Sequence, residues 1–435
     1  MAKRHTNREG NLESMFLRLE ELVLANSGED EFEEVFKLII AKLWAERSGN
    51  AARFQVGSDE AQTFESIVKL LSEAENSWPG IVEPDSRPAL TPEHLQVCVD
   101  ALSRHTISDS SLEVLDGFFE FMVSRAAKGA KGQYFTPRYV VELCIRMLEP
   151  QANELVLDPA CGSAGFLVHV MNFVRDNEGL SGKAFQQYCQ SKLWGFDIDA
   201  RAVRVAKALM VLAGDGKSNV VRLNSLLTPD MGALFPLIGR DVLSALTVED
   251  VTRARLRNHK GFDVIVTNPP FAGEVLERHI LDGYNVSRAK ARIERDVLFL
   301  ERCVNLLRPG GRMAMVLPHN KFSATEFGGI REWVMKKCRI LGVVSLGRHT
   351  FLPHTHQKAS ILFLQKRLTK CNMSRDEAIF FALSERDGKN SKGHIMIREG
   401  AGKERSMWNT IDHDFDEIIA GFKSFRNLEA IDFRS

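Results

Sequence analysis

Phe32, Val35, Phe36, Ile39, Ile40 and Leu43 stand three and four residues apart, the period that lines one face of a helix. The same spacing runs through residues 64–71, 95–102 and 112–123, so the chain ahead of Gly129 predicts a helical domain. Residues 76–92 are its expected internal loop, because four prolines and a glycine break the pattern there. Beyond Gly129, short apolar runs at 155–157, 193–196, 220–223, 262–266, 313–317, 341–346 and 361–364 mostly alternate with helical spacing. That alternation predicts an α/β fold, a mostly parallel sheet with helices on both faces. The last two runs have no helix between them and are expected to pair as a hairpin at one end of the sheet. From Lys370 on the signal weakens to a loop over 384–394 and a helical pattern at 415–422. The expected domains are therefore 1–125, 126–370 and a carboxy-terminal extension at 371–435, whose helix is a candidate for subunit contact.

Composition changes this picture little. With 435 residues, 44% hydrophobic and 26% charged, the chain reads as soluble and globular with more than one core. Charge is balanced overall, 57 basic against 57 acidic, but residues 1–120 hold 11 Lys/Arg against 23 Asp/Glu, which leaves 46 against 34 for the rest. Two readings of that asymmetry are open: a later part that meets a polyanion, or a chance excess of acid on a solvated helical domain. Seven scattered cysteines (Cys98, Cys144, Cys161, Cys189, Cys303, Cys338, Cys371) with no CxxC argue against a disulfide framework and a zinc knuckle. The amino terminus lacks the apolar stretch of a secretory signal, and no run approaches the ~18 apolar residues of a membrane span. A cytoplasmic protein with no membrane partner is expected.

In open α/β sheets ligands bind beyond the carboxyl ends of the strands, so the residues directly after each apolar run come first. The first run ends in Asp158-Pro-Ala-Cys-Gly-Ser-Ala-Gly165. Gly162 and Gly165 let the backbone turn sharply and approach a ligand closely, yet the segment lacks the GxGxxG and GKS/T signatures, and a plain tight turn remains the alternative. The second run ends at Asp197, whose carboxylate could accept both ribose hydroxyls of an adenosine-type ligand, while Asp199 is expected to cap the helix from Ala200. Asn224, after the third run, either reads an adenine edge or serves as a turn residue.

The fourth run is followed directly by Asn268-Pro-Pro-Phe271. Two prolines fix the backbone and donate no N–H, so the carbonyls of Asn268 and Pro269 stay available as acceptors. With the Asn268 side-chain oxygen they could hold both hydrogens of an exocyclic amino group and leave its lone pair aimed at an electrophile. Phe271 offers an aromatic face to the ring that carries the amine. The bland alternative is a rigid loop.

Taken in order, Gly132-Gln-Tyr-Phe-Thr-Pro137, the 158–167 turn, Asp197 and Asn268–Phe271 resemble the N6-adenine DNA methyltransferases, most closely the modification subunit of type I restriction-modification systems. The likeness extends through Leu306-Leu-Arg-Pro-Gly-Gly-Arg-Met-Ala-Met-Val-Leu-Pro318 and Ala359-Ser-Ile-Leu-Phe-Leu364, and upstream to residues 35–43 and 117–121. It implies a Rossmann-like S-adenosylmethionine-dependent methyltransferase sheet preceded by an all-helical amino-terminal domain. It implies that S-adenosylmethionine is bound by Gln133, Tyr134, Phe135, Thr136, Pro137 and Arg138, by Asp158, Ala160, Cys161, Gly162, Ser163, Ala164 and Gly165, by Asp197 and Ile198, and by Asn224. Asn268, Pro269, Pro270 and Phe271 are the implied catalytic residues, acting on an adenine extruded from double-stranded DNA. Transfer is then an in-line displacement governed by positioning and desolvation.

Ala164 stands where the family often has glycine, adding a methyl group near the cofactor, and Asn224 where many relatives have Asp; neither change looks inactivating. Only about 70 residues follow the last strand run, too few for an independent target-recognition domain. A separate specificity subunit is therefore expected, with two modification subunits per specificity subunit as in the family, and a restriction subunit is a further candidate partner. His349, His354 and His356, with His319 upstream, fit no standard metal spacing, and no metal is expected. The resemblance places their loop near the target base, with Phe351 as an apolar contact. Two alternatives stay open: a protein-glutamine or RNA methyltransferase, whose NPP motif usually ends in Tyr and lacks the FTP element, and a catalytically silent cofactor-binding scaffold in a defence complex.

Overall fold

A computed structural model describes residues 6–21, 27–108, 112–126, 136–214, 219–228, 247–255, 260–288, 290–368, 377–400 and 407–433. Gln133, Tyr134, Phe135 and Cys371 lie outside them. The chain divides into two units, residues 1–130 with 204–217, and residues 131–203 with 218–435.

Asp30, Asp59 and Thr91 each stand just ahead of a helix and accept a backbone N–H of its first turn, from Glu33, Gln62 and His94 respectively. These caps satisfy donors that have no partner inside a helix, and Pro92 follows Thr91 at the position where a missing N–H costs nothing. Among the described residues, the helices of the 1–130 part of the first unit include α1 (Thr6–Leu19), α2 (Glu31–Arg47), α3 (Glu60–Ser77), α4 (Pro92–Ser103) and α5 (Leu112–Ala126). The six apolar residues of α2 that set its period are all buried, and each contributes about 2 kcal/mol by leaving water. Part of the acidic excess is internal: Glu34 accepts the Ala89 N–H at 2.9 Å, and Glu46 accepts those of Ile107 and Ser108.

Among the described residues, the main sheet of the second unit has eight strands, β1 (Val156–Asp158), β2 (Leu193–Asp197), β3 (Val220–Arg222), β4 (Phe262–Thr267), β5 (Leu307–Pro318), β6 (Cys338–Ser345), β7 (Ala359–Lys366) and β8 (Phe380–Leu383), in the order β8-β6-β7-β5-β4-β1-β2-β3. Strands β1 to β5 run parallel, and β7 lies antiparallel between β5 and β6. The strand order reverses between β1 and β4, which is where open α/β sheets bind their ligands. Because both faces are covered, β4 and β5 are nearly continuous apolar runs rather than alternating ones. Their side chains Ile265, Met313 and Met315 join Leu157, Trp194 and Phe196 in one core with Leu298 and Val304 of the helix Arg295–Leu306.

The antiparallel pairing of the last two expected runs is present in β6 and β7, but it is not at the end of the sheet. Strand β8 pairs in parallel with the outer side of β6 and forms the edge. Its four residues alternate between half-buried and exposed, with Phe381 and Leu383 outward, a pattern too short to read as a strand in the sequence.

Candidate active site

Asp158 closes β1 and is fully buried. Its Oδ1 accepts the Ala160 N–H at 3.1 Å and the Thr267 hydroxyl at 2.8 Å, so the turn after β1 is joined to the end of β4. Burial pushes the Asp158 carboxyl up to about 7, against the two hydrogen bonds that favour its charged form. The turn is fixed from three further sides. Cys161 N–H donates to the Phe196 carbonyl at 3.0 Å, Gly162 N–H to Asp197 Oδ2 at 2.9 Å, and Ser225 Oγ to the Pro159 carbonyl at 2.7 Å. Gly162 and Ala164 both have positive φ, +50° and +70°. Ala164 is fully buried, so its methyl group is packed inside the turn, and Ser163 is buried as well. Burial raises the Cys161 thiol well above its ordinary range, which keeps it protonated and un-nucleophilic.

Helix α6 (Arg138–Leu148) begins directly after Thr136 and Pro137, and helix α7 (Gly165–Glu178) begins at the end of the turn. A Cβ at Gly165 would overlap the Arg138 guanidinium, so glycine is what lets Arg138 reach the turn. Burial, with the Arg138 charge nearby, holds His169 on α7 down at about 3 and therefore neutral.

Asp197 ends β2 with Oδ1 accepting the Asp199 N–H at 2.9 Å and Oδ2 accepting that of Gly162. Burial raises its pKa above the usual carboxylate range, opposed by those N–H groups. Asp199 caps the helix Ala200–Leu212 through the N–H groups of Arg201 and Ala202, the structural role expected for it. Ile198 is 62% exposed beside them. Asn224 forms a local turn, its Oδ1 accepting the Leu226 N–H at 3.0 Å.

Asn268 follows β4 and is half-buried, Pro269 is buried, Pro270 is half-buried, and Phe271 is 8% exposed. Phe351, from the loop between β6 and β7, meets Phe271 edge-on at 5.8 Å between ring centroids and 67° between planes. The structure thus brings the 158–165 turn, Asp197 and the 268–271 loop to one rim of the sheet. His319, past the end of β5, has Nδ1 2.9 Å from Ser360 Oγ.

Sequence reasoning missed the residues that hold this rim. Thr267 is a hydroxyl directly after the apolar run Val264–Val266, which is a readable signal. Arg302 left none: from a helix distant in sequence it donates to the carbonyls of Ser225 and Leu227 at 2.7 and 2.9 Å, and pairs bidentately with Glu249. It thereby fixes the segment that supports Pro159.

S-adenosylmethionine requires acceptors for a ribose diol, an apolar surface for adenine, and negative charge near its sulfonium and ammonium groups. Each Asp197 oxygen accepts one N–H and keeps lone pairs for a hydroxyl. Ile198 presents apolar surface beside it, and Asp158 supplies a titrating carboxyl at the turn. The residues present fit the cofactor.

Residues 110–431 match the family model described as N-6 DNA Methylase. The methylase subunit of the type I restriction enzyme StySPI from Salmonella potsdam is 28% identical over 269 residues, covering 61% of this chain and 46% of that protein. The chain spans about half the length of the curated relatives it matches. Among solved structures, the modification subunit assigned to a type I restriction enzyme of Vibrio vulnificus YJ016 superposes with a TM-score of 0.63 at 18% identity, over 98% of this chain and 90% of that one. A protein from Listeria monocytogenes assigned as a class I S-adenosylmethionine-dependent methyltransferase gives 0.54 at 15% identity, over 86% and 92%. These superpositions establish the fold, a class I methyltransferase sheet with a helical amino-terminal region, as the motifs implied. With the family model spanning most of its length and the strand end ahead of the NPPF loop bonded to the strand end ahead of the turn after β1, the chain belongs to the N-6 DNA methylase family.

Proposed function

We propose that this chain transfers the methyl group of S-adenosylmethionine to N6 of adenine in double-stranded DNA, as the modification subunit of a type I-like restriction-modification complex in the cytoplasm. A separate specificity subunit chooses the sequence, and a restriction subunit is a further candidate member of the assembly. The observation that supports the reading is the 2.8 Å bond from Thr267 to Asp158, which ties the strand end ahead of Asn268–Phe271 to the strand end ahead of the 159–165 turn at the switch point of the sheet. The bound cofactor supplies an electrophilic methyl group on sulfur.

The chain's own residues supply placement. Asp197 holds the ribose, Ile198 lies under the adenine, and the 159–164 backbone follows the remainder of the cofactor. Thr136 and Arg138 close the same side, with Gln133, Tyr134 and Phe135 ahead of them in the same motif. Asn268 and the Pro269 carbonyl hold the two hydrogens of the target amino group, and the proline pair keeps those acceptors from swinging away. Phe271 and Phe351 wall the base on its apolar side. Proton removal before transfer is not required of any residue, because the amine reacts through its lone pair as the methyl–sulfur bond breaks, and the surplus proton on the methylated nitrogen is lost to water afterwards.

The test is methyl transfer from radiolabelled S-adenosylmethionine by the purified chain, with and without its copurifying specificity partner. Label on adenine N6 of DNA only when the partner is present supports the reading. Label on protein or RNA, or none on DNA with the partner bound, overturns it.

A further inference from the structure

The segment expected to stand outside the catalytic domain reaches back to the loop between β6 and β7. The base of that loop is already fixed by the sheet, where Ser345 pairs with Ser360 and Leu346 N–H donates to the Ala359 carbonyl. Its tip is held by residues 387–393. Thr350 is fully buried and donates its hydroxyl to Asp387 Oδ2 at 2.7 Å, and Asp387 is itself 5% exposed. A Cβ at Gly347 would overlap the same carboxylate, so the loop carries glycine where Asp387 enters. Lys389 Nζ donates to the Leu352 carbonyl at 2.6 Å, and Gly393, at φ +80°, passes so close that a Cβ would lie 3.0 Å from Leu352 Cβ. Between Thr350 and Leu352 stands Phe351, the ring that meets Phe271.

The other end of this strap is anchored on the cofactor side. The backbone of Asp387 forms an antiparallel bridge with that of His413, whose ring stacks on Phe415 at 4.9 Å and on Tyr139 at 6.2 Å. Tyr139 is the neighbour of Arg138. Local turns within the loop tip, Leu352 to His349 and His354 to Phe351, shape it but do not orient it toward β4.

We propose that Asp387 is a positioning residue for the base-holding side of the site. Through the Thr350 hydroxyl it fixes the 347–353 loop so that Phe351 is pressed on Phe271 before DNA arrives. This rests on the reading of Asn268–Phe271 as the adenine site.

The test uses the full chain with its specificity partner on DNA, and four variants, three single and one double. Asp387→Ala and Thr350→Val are expected to lower the rate of transfer by about tenfold or more, with the double variant no worse than either, while the Kd for S-adenosylmethionine by calorimetry stays within about twofold. Asp387→Asn retains an oxygen acceptor for Thr350 and is expected to keep most of the rate. Amide exchange over 347–353 should quicken in the first two variants and not in Asp387→Asn. Unchanged exchange in Asp387→Ala and Thr350→Val, cofactor affinity falling in step with rate, or Asp387→Asn as impaired as Asp387→Ala overturns the inference. Should the unaltered chain transfer no methyl to adenine, it is the functional reading that fails, and the exchange measurement alone decides whether the strap holds the loop.

Discussion

Thr267 Oγ1 donates to Asp158 Oδ1 at 2.8 Å, and with that bond the last residue of β4 is tied to the last residue of β1 across the point where strand order reverses. The loop that follows Thr267 and the turn that follows Asp158 therefore share one support. Both groups are fully buried, so neither can exchange the bond for water.

Thr267→Val keeps the shape and removes the donor. A buried acceptor then loses one of its two partners, which costs about 1–3 kcal/mol of stability. Because the Thr267 bond lowers the Asp158 pKa, its loss pushes that carboxyl higher still. A lower denaturant midpoint with a slower methyl transfer is expected. A variant as stable and active as the original would show that the tie is incidental.

Asp158 makes the protein pH-dependent in a predictable sense. Its folded pKa of about 7 lies above the ordinary carboxylate value, so the fold favours the neutral acid. The associated stability is complete below about pH 4 and is lost as pH rises through about 7. Asp158→Asn retains an oxygen for Thr267 and Ala160 but never ionises, so it should gain about 2–4 kcal/mol over the original at pH 8 and nothing near pH 4. Cofactor binding should move the opposite way, because a cationic ligand favours the carboxylate. Between pH 6 and 8 the affinity of the original chain should rise about tenfold, and that of Asp158→Asn should stay flat in calorimetry.

What was legible in the sequence is what local pattern carries. Apolar period disclosed α2 and the buried strands, and the residues directly after β1, β2 and β4 disclosed the rim. The supports of the rim come from elsewhere in the chain. Arg302 is one of many arginines until folding sets it against the carbonyls of Ser225 and Leu227. Asp387 lies in a segment with no periodicity, and its partner Thr350 is 37 residues away. Strand β8 was invisible because an edge strand of four residues buries one face only in part. Ala164, read as a methyl beside the cofactor, has a left-handed backbone and is fully buried, a packing that local pattern does not show.

Asn268 and Asp197 should separate catalysis from binding. On the proposed function, Asn268→Ala removes an acceptor for the amino group and leaves the cofactor turn in place, and transfer should fall at least about a hundredfold with cofactor Kd near normal. Asp197→Ala removes the proposed ribose acceptor and also leaves the Gly162 and Asp199 N–H groups without their carboxylate. Cofactor affinity should drop about tenfold to a hundredfold before any effect on saturated rate is seen. Equal loss of both quantities in Asn268→Ala would contradict its assignment to the amine.

Gly165→Ala isolates the role of Arg138. The added methyl meets only the far end of a flexible side chain, which can swing away, and alanine is the better helix former in the first turn of α7. Stability should therefore change by less than about 1 kcal/mol. What is lost is the place of the guanidinium against the turn, so cofactor affinity should weaken as much as in Arg138→Ala. The double variant should be no weaker than either single one, because both act on the same contact. Additive losses would mean that the two residues serve the cofactor separately, and full affinity in Gly165→Ala would remove Arg138 from the site.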